Sequence, residues 1–234
     1  MLTDWIKKHT AYLLPSHCDL CQMAIGTQAA HPLFCCFCQR RFAPVPRCRR
    51  CGLATPESVE MCGQCLVAPP LWTYLYCVGD YQPPLSSYVH RLKYEGQYWQ
   101  AKTLSLLLVP RIDTRPDLIT FVPLHWRRYC YRGYNQSQHL AWQIGRELDV
   151  PCEALFAKMR ATERQQGMDK KQRKENVRQA FRLRKSVNSE HVAIVDDVLT
   201  TGSTVHQLCK LLLDAGVKTI DIYCICRTPE SSNR

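Results

Sequence analysis

Apolar residues recur along this chain in two periods, and from residue 71 onward the two alternate. Runs at Leu71 to Val78, Leu118 to Val122, Val192 to Val195 and Thr219 to Cys226 predict strands. Between them, helical spacing predicts helices at Leu85 to Tyr94, Ala101 to Val109, Ser137 to Leu148 and Val205 to Ala215, the last stopped by Gly216. The quartet Val192–Val195 is continuous and largely β-branched, which is how a strand buried on both faces of a parallel sheet reads. Strand and helix in alternation predict an α/β fold, a mostly parallel sheet flanked by helices. The first seventy residues lack this rhythm. There, Trp5, Ile6, His9, Tyr12 and Leu13 predict one short amphipathic helix, and Pro69–Pro70 mark a boundary between an accessory module, 1–70, and the main domain, 71–234.

With 234 residues and a net charge of +11, the chain has room for one α/β domain and a small partner module. No run approaches eighteen apolar residues, so no membrane span is expected. Asp4, Lys7, Lys8 and His9 leave no apolar core for a secretory signal, and the expected location is the cytoplasm.

Fifteen cysteines under reducing conditions argue for metal rather than disulfides. Eight of them form four CxxC pairs, Cys18/Cys21, Cys35/Cys38, Cys48/Cys51 and Cys62/Cys65. Each pair can place two thiolates on one ion, and two pairs complete the closed tetrahedral shell of structural zinc. Eight ligands make two zinc sites, a double zinc ribbon, paired either consecutively or interleaved. Iron–sulfur ligation is the rival chemistry, but knuckles at hairpin-like separations favour zinc. Cys36, beside Cys35, is an alternative ligand or a spare thiol; Cys77, Cys130, Cys152, Cys209, Cys224 and Cys226 read as small hydrophobes.

The densest chemistry lies at Val192 to Thr204, VAIVDDVLTTGST. A hydrophobic strand leads to the paired acids Asp196 and Asp197, then to the hydroxyl-rich loop Thr200, Thr201, Gly202, Ser203 and Thr204, then to a helix. A helix N-terminus offers unpaired N–H groups and a positive dipole end, which suit a phosphate dianion. Gly202 lets the backbone approach closely. The acids, at the carboxyl end of the strand, can accept hydrogen bonds from vicinal ribose hydroxyls. This window resembles the 5-phosphoribosyl 1-diphosphate (PRPP) signature of type I phosphoribosyltransferases. GxxxxGK[ST] and GxGxxG phosphate motifs are absent from the chain.

Two basic segments accompany it. In VPLHWRRYCYRGYNQSQHLA, Val122 to Ala141, a loop holding Arg127, Arg128, Arg132 and Gly133 is expected before the helix, with Arg127 and Arg132 as candidates for the diphosphate end of the ligand. From Lys158 to Lys185, eleven Lys/Arg stand against three acids. That stretch reads as a hood over an anionic site, with Arg160, Gln165, Arg173 and Asn176 as candidate ligands.

Taken with LKYEG at 92–96, RATERQ at 160–165 and RKENVRQAF at 173–181, these motifs resemble, in order, those of the ComF family and its GntX-like branch of DNA-utilisation and competence-associated proteins. The resemblance implies a type I phosphoribosyltransferase fold behind the zinc module, PRPP bound with Mg²⁺, and a part in handling extracellular or imported DNA alongside DNA-uptake or DNA-processing proteins. Two functional classes then compete. One is a phosphoribosyltransferase in which an acceptor attacks C1 of the ribose. The other is a nucleic-acid-binding zinc protein with a sensory or relic PRPP pocket, presenting Arg40, Arg41, Arg47, Arg49 and Arg50 with Phe37, Phe42, Tyr129, Tyr131 and Tyr134 to single-stranded DNA.

Overall fold

The computed structural model describes residues 17–25, 31–159 and 180–229. The N-terminal helix expected around Trp5 and the hood candidates Arg160, Gln165, Arg173 and Asn176 lie outside the described residues. The chain divides into two compact units, residues 1–44 and 45–234.

In the first unit a short helix, α1 (Cys36–Gln39), is followed by a 3-10 turn at Arg40–Phe42. Phe34 and Phe42 are buried with ring centroids 4.8 Å apart, and Cys18 and Cys38 are buried as well.

The second unit contains α2 (Gly63–Val67), β1 (Tyr74–Asp80), α3 (Leu85–Tyr94), α4 (Gln100–Leu108) and β2 (Leu118–Phe121). It continues through α5 (Trp126–Arg132), α6 (Gln136–Leu148), β3 (Phe156–Lys158), β4 (Phe181–Leu183), β5 (His191–Leu199), α7 (Ser203–Asp214) and β6 (Thr219–Arg227). Four strands form a parallel sheet in the order β1-β6-β5-β2. Period-2 alternation splits their side chains between two faces. Leu75, Cys77, Leu118, Val192, Ile194, Ile220, Ile222 and Cys224 pack with Val205, Leu208, Cys209 and Leu212 of α7. The opposite face carries α4 and α6, which pack on each other and on the strands. The α/β fold expected from the alternation, and the type I phosphoribosyltransferase fold that the resemblance implies, are therefore present, and Cys77, Cys209, Cys224 and Cys226 are core residues.

Three features differ from the reading of the sequence. First, β5 runs through both acids to Leu199, because Asp196, Val198 and Leu199 keep their register with Cys224, Cys226 and Arg227 of β6. Second, the arginine segment is a helix, α5, and not a loop. His125 caps it by accepting from the Arg127 N–H, and Gly133 ends it in the left-handed region (φ 81) that glycine adopts without strain. Third, an antiparallel β3–β4 hairpin flanks residues 160–179.

The division falls after residue 44, and residues 45–70 lie in the second unit. Residues 45–70 group with the sheet through direct bonds. The Leu75 N–H donates to the Arg49 carbonyl (2.8 Å), Arg47 pairs with Asp80 (2.8 Å), and Arg49 pairs with Asp113 (2.7 Å). The prolines stiffen the chain there without separating what packs on either side of them.

Candidate functional site

Adjacent strands β5 and β2 place their carboxyl ends together, and the segments that follow them converge there. Asp196 and Asp197 lie near the end of β5. The Ser137 hydroxyl, in the first turn of α6, donates to Asp196 Oδ1 at 3.0 Å, as does the Asp197 N–H at 2.9 Å. Lys93, in the last turn of α3, brings its ammonium 2.9 Å from Asp197 Oδ1, which also accepts from the Val198 N–H at 2.7 Å. The other Asp197 oxygen, Oδ2, is buried and has no hydrogen-bond partner among the described residues. An acceptor left unsatisfied in a buried carboxylate is costly unless a ligand or water completes it.

Burial pushes the Asp196 carboxyl up to about 7, and the neighbouring Asp197 charge pushes in the same direction. The Asp197 N–H, the Lys93 charge and the Ser137 hydroxyl oppose them. Burial disfavours the charged form of Lys93, but the attraction of Asp197 and then Asp196 prevails and its pKa is raised. Lys158 on β3 is lowered by burial and by Arg128, with Asp196 opposing. A diol presented to the acids would thus meet a pair in which Asp196 readily holds a proton and Asp197 is paired with a resident lysine.

The strand hands over to α7 through the loop predicted to take a phosphate. Thr200, Thr201 and Ser203 are exposed, Thr204 is half-buried and Gly202 is buried. Gly202 has φ 72, and a Cβ added there would come within 3.0 Å of the Trp72 ring. The position therefore demands glycine on both backbone and packing grounds. The first intrahelical bond of α7 runs from the His206 N–H to the Gly202 carbonyl (2.8 Å), so the amides before it have no acceptor within the helix. The Ser203 N–H is 3.4 Å from Thr201 Oγ1.

Arg127 and Arg132 both lie on α5. Arg127 is exposed, its guanidinium 5.4 Å from the Trp126 ring centre. Arg132 donates to Gln136 Oε1 and lies 5.3 Å over Tyr94, while the Tyr134 hydroxyl donates to the Leu92 carbonyl. The LKYEG and RGYNQ motifs, remote in sequence, are thereby joined beside Lys93. Lys93 and Ser137 are site residues that the sequence reading passed over. A lysine in a last helical turn reads as a dipole partner, and a serine after Asn135 reads as part of the helix cap, which it also is, since its N–H donates to Asn135 Oδ1 (3.1 Å).

The cysteines gather into two groups, Cys18/Cys21/Cys35/Cys38 and Cys48/Cys51/Cys62/Cys65, with the sulfurs in each within 4.8 Å of one another. Four sulfurs about 2.3 Å from one tetrahedral ion would be about 3.8 Å apart. Observed separations are 3.8 Å for Cys21–Cys35, 3.9 Å for Cys48–Cys65 and 3.6 Å for Cys51–Cys62. Both groups fit a tetrathiolate metal site, the pairing is consecutive, and Cys36 is exposed outside the first group. At Cys48 burial opposes ionisation, but the amides of Cys51, Cys62 and Arg50 outweigh it and lower the thiol to about 7. One of these, the Cys62 N–H, is 3.2 Å from the Cys48 sulfur.

Of the arginines expected on a nucleic-acid surface, Arg47, Arg49 and Arg50 are engaged within the fold. Arg47 bonds Asp80, Arg49 bonds Asp113 and Glu60, and Arg50 donates to the Pro70 carbonyl (3.1 Å). Phe42 is buried, while Phe37 is 75% and Tyr131 94% exposed. No helix among the described residues is long and apolar enough to cross a membrane.

Residues 135–234 match the phosphoribosyl transferase domain family. The chain is 39% identical over 225 residues to DNA utilization protein YhgH of Escherichia coli K12, covering 92% of this chain and 98% of that protein. It is 36% identical over 205 residues to competence protein F of Haemophilus influenzae, covering 82% and 90%. Among solved structures, purine phosphoribosyltransferase from Pyrococcus horikoshii aligns at 18% identity and TM-score 0.37 over 56% of this chain and 85% of that one. The glutamine PRPP amidotransferase of B. subtilis aligns at 20% identity and TM-score 0.40, over 53% of this chain and 25% of that one. Double tetracysteine groups, the parallel sheet and relatives matched over nearly their full length together place the chain in the ComF family of phosphoribosyltransferase-like proteins.

Proposed function

We propose that this protein binds PRPP with Mg²⁺ at the carboxyl edge of its sheet and that it serves DNA utilisation or competence, the roles named for its relatives. The observation that carries the reading is the Asp197 oxygen buried without a partner next to Asp196, one turn of chain before an open helix N-terminus. A ribose diol supplies the donors that this oxygen lacks. In this reading Asp196 and Asp197 take the ribose hydroxyls, and Thr200 to Thr204 take the 5′-phosphate. Arg127 and Arg132 flank the diphosphate, and Arg160, Gln165, Arg173 and Asn176 are the candidate hood ligands. Bound with the ligand, Mg²⁺ would offset diphosphate charge. If the site is catalytic, holding the ribose and stabilising the departing diphosphate favour attack at C1 by an acceptor, without a dedicated general base. Zinc is the natural occupant of both tetrathiolate groups, with a structural role.

The test is calorimetric titration of the zinc-loaded protein with PRPP and Mg²⁺, for wild type and Asp197→Ala. Binding in the wild type and at least 100-fold loss in the variant are expected; equal affinity in the two would sink the assignment.

A second reading, single-stranded DNA binding, is favoured by a different surface from the arginines above. Tyr98 packs against Trp99, Tyr134 and His139 with centroids 5.5–6.3 Å apart, His139 packs against Trp142, and Tyr98, Trp99 and Trp142 are exposed. Such rings stack on unpaired bases. Trp99→Ala should then weaken binding of a fluorescent oligonucleotide at low salt, and an unchanged isotherm would count against it.

A further inference from the structure

Two neighbouring carbonyls of the second cysteine group face the phosphate loop's supports. The Arg50 carbonyl accepts from the Trp72 indole N–H at 2.5 Å, and the Cys51 carbonyl accepts from Arg227 Nε at 2.9 Å. Beyond these bonds, each side chain reaches the loop. The Trp72 ring lies against Gly202. Arg227 Nη1 donates to the carbonyls of Leu199 (3.4 Å), Thr200 and Thr228 (2.7 Å). Trp72 and Arg227 are 6% and 4% exposed, so water does not compete for these bonds.

We infer that Trp72 and Arg227 are positioning residues that link the metal-bound state of the Cys48/Cys51/Cys62/Cys65 group to the conformation of the anion-binding loop at residues 200–204. The inference deepens the proposed function, since it assigns a determinant of affinity to the same phosphate site. The carbonyls of Arg50 and Cys51 point as they do because the CxxC turn is closed, with the Gly52 N–H donating to the Cys48 carbonyl at 2.9 Å. Loss of the ion that four thiolates would hold frees that turn. A buried guanidinium and a buried indole then lose acceptors, which is costly, and their hold on Thr200 and Gly202 relaxes with them. Linkage is reciprocal, so an anion that orders the loop must tighten metal binding at this group by the same factor.

Full-length zinc-loaded protein is used for the test. Hydrogen exchange is followed at the amides of residues 200–204 in wild type, Trp72→Phe and Arg227→Lys, with zinc content measured in parallel. Trp72→Phe keeps the ring and removes the donor; Arg227→Lys keeps the charge and removes the fork. About fivefold or faster loop exchange, with two zinc ions retained and the amides of β5 unchanged, is expected. In wild type, the same loop amides should become faster in step with zinc withdrawal from the second group by a chelator, a readout that needs no variant. Loop exchange that ignores both substitutions and zinc withdrawal overturns the linkage. A last arm measures zinc affinity by chelator competition at equilibrium with and without PRPP and Mg²⁺, where tighter binding in wild type that vanishes in the variants is expected. Should PRPP fail to bind the wild type, the proposed function fails, while the ligand-free exchange still decides the linkage.

Discussion

Four thiolates whose outermost members are 17 positions apart close the second cysteine group, whereas the acidic site draws on elements that only the sheet brings together, with Ser137 and Asp196 59 positions apart. The first kind of site carries its own assembly instructions, since CxxC spacing puts two ligands on one turn and the ion does the rest. The second has no local cause. Lys93, Ser137 and the acids meet because β2 lies beside β5 and because α3 and α6 end or begin at the same edge. A local site should fail by losing its ion, and an assembled one by losing any single partner.

Metal removal is expected to have the largest effect. Structural zinc contributes on the order of 10 kcal/mol of apparent binding energy to a small module. Chelation under reducing conditions, or Cys65→Ser, should therefore lower the melting temperature of the full chain by more than about 10 °C by scanning calorimetry. Retained melting behaviour with no bound zinc would erase the contrast between the two sites.

Next comes Lys93→Met. It leaves the buried Asp197 carboxylate without its cation, and breaking such a pair costs about 3–5 kcal/mol when both partners are fully buried. Because the Lys93 side chain is 19% exposed, roughly 2–3 kcal/mol is the expected loss in urea unfolding at pH 8. A change within 0.5 kcal/mol, the usual range for a surface substitution, would mean that the lysine is incidental to the site.

Asp196→Asn should act in the opposite direction. Folding raises the Asp196 carboxyl to about 7, so the folded chain holds that proton more tightly than the unfolded chain does. Its stabilising contribution is complete below about pH 4 and is lost as the pH rises through 7. Replacing the acid removes that loss, and the variant should be more stable than wild type by on the order of 1–2 kcal/mol at pH 8, with the gap closing at pH 5. A gap independent of pH would assign the effect to packing. A stabilising substitution at a residue needed for ligand binding is the mark of a site kept at some cost to the fold.

Ser137→Ala is the smallest of the set. Loss of one hydrogen bond to the carboxylate should destabilise by about 1 kcal/mol at pH 8 and raise the Asp196 pKa further, followed by carboxyl carbon chemical shifts in an NMR titration. An unmoved midpoint would mean that the hydroxyl does not support the charged form.

The same contrast explains what could be read from the sequence. Helix α3 begins and ends where its apolar spacing places it, at Leu85 and Tyr94, and the eight metal-ligand candidates fall into two groups as CxxC spacing implies. Both are local signals. Helix α5 was hidden because WRRYCYR is short, arginine-rich and buries none of its residues, and its ends are set by a histidine cap and a left-handed glycine. The continuation of β5 past two acids was hidden because only its pairing with β6 defines it. Arg227 looks like a strand terminus until its bonds to Cys51, Leu199 and Thr200 are seen. Residues whose role depends on contacts with remote segments leave little trace in a linear pattern.

The most direct measurement is a crystal structure of the zinc-loaded protein soaked with PRPP and Mg²⁺. The account predicts the 5′-phosphate on the amides and hydroxyls of Thr200 to Thr204, with the ribose diol on Asp196 and on the Asp197 oxygen that otherwise lacks a partner. An empty loop at saturating ligand, or a ribose turned away from both acids, would contradict it.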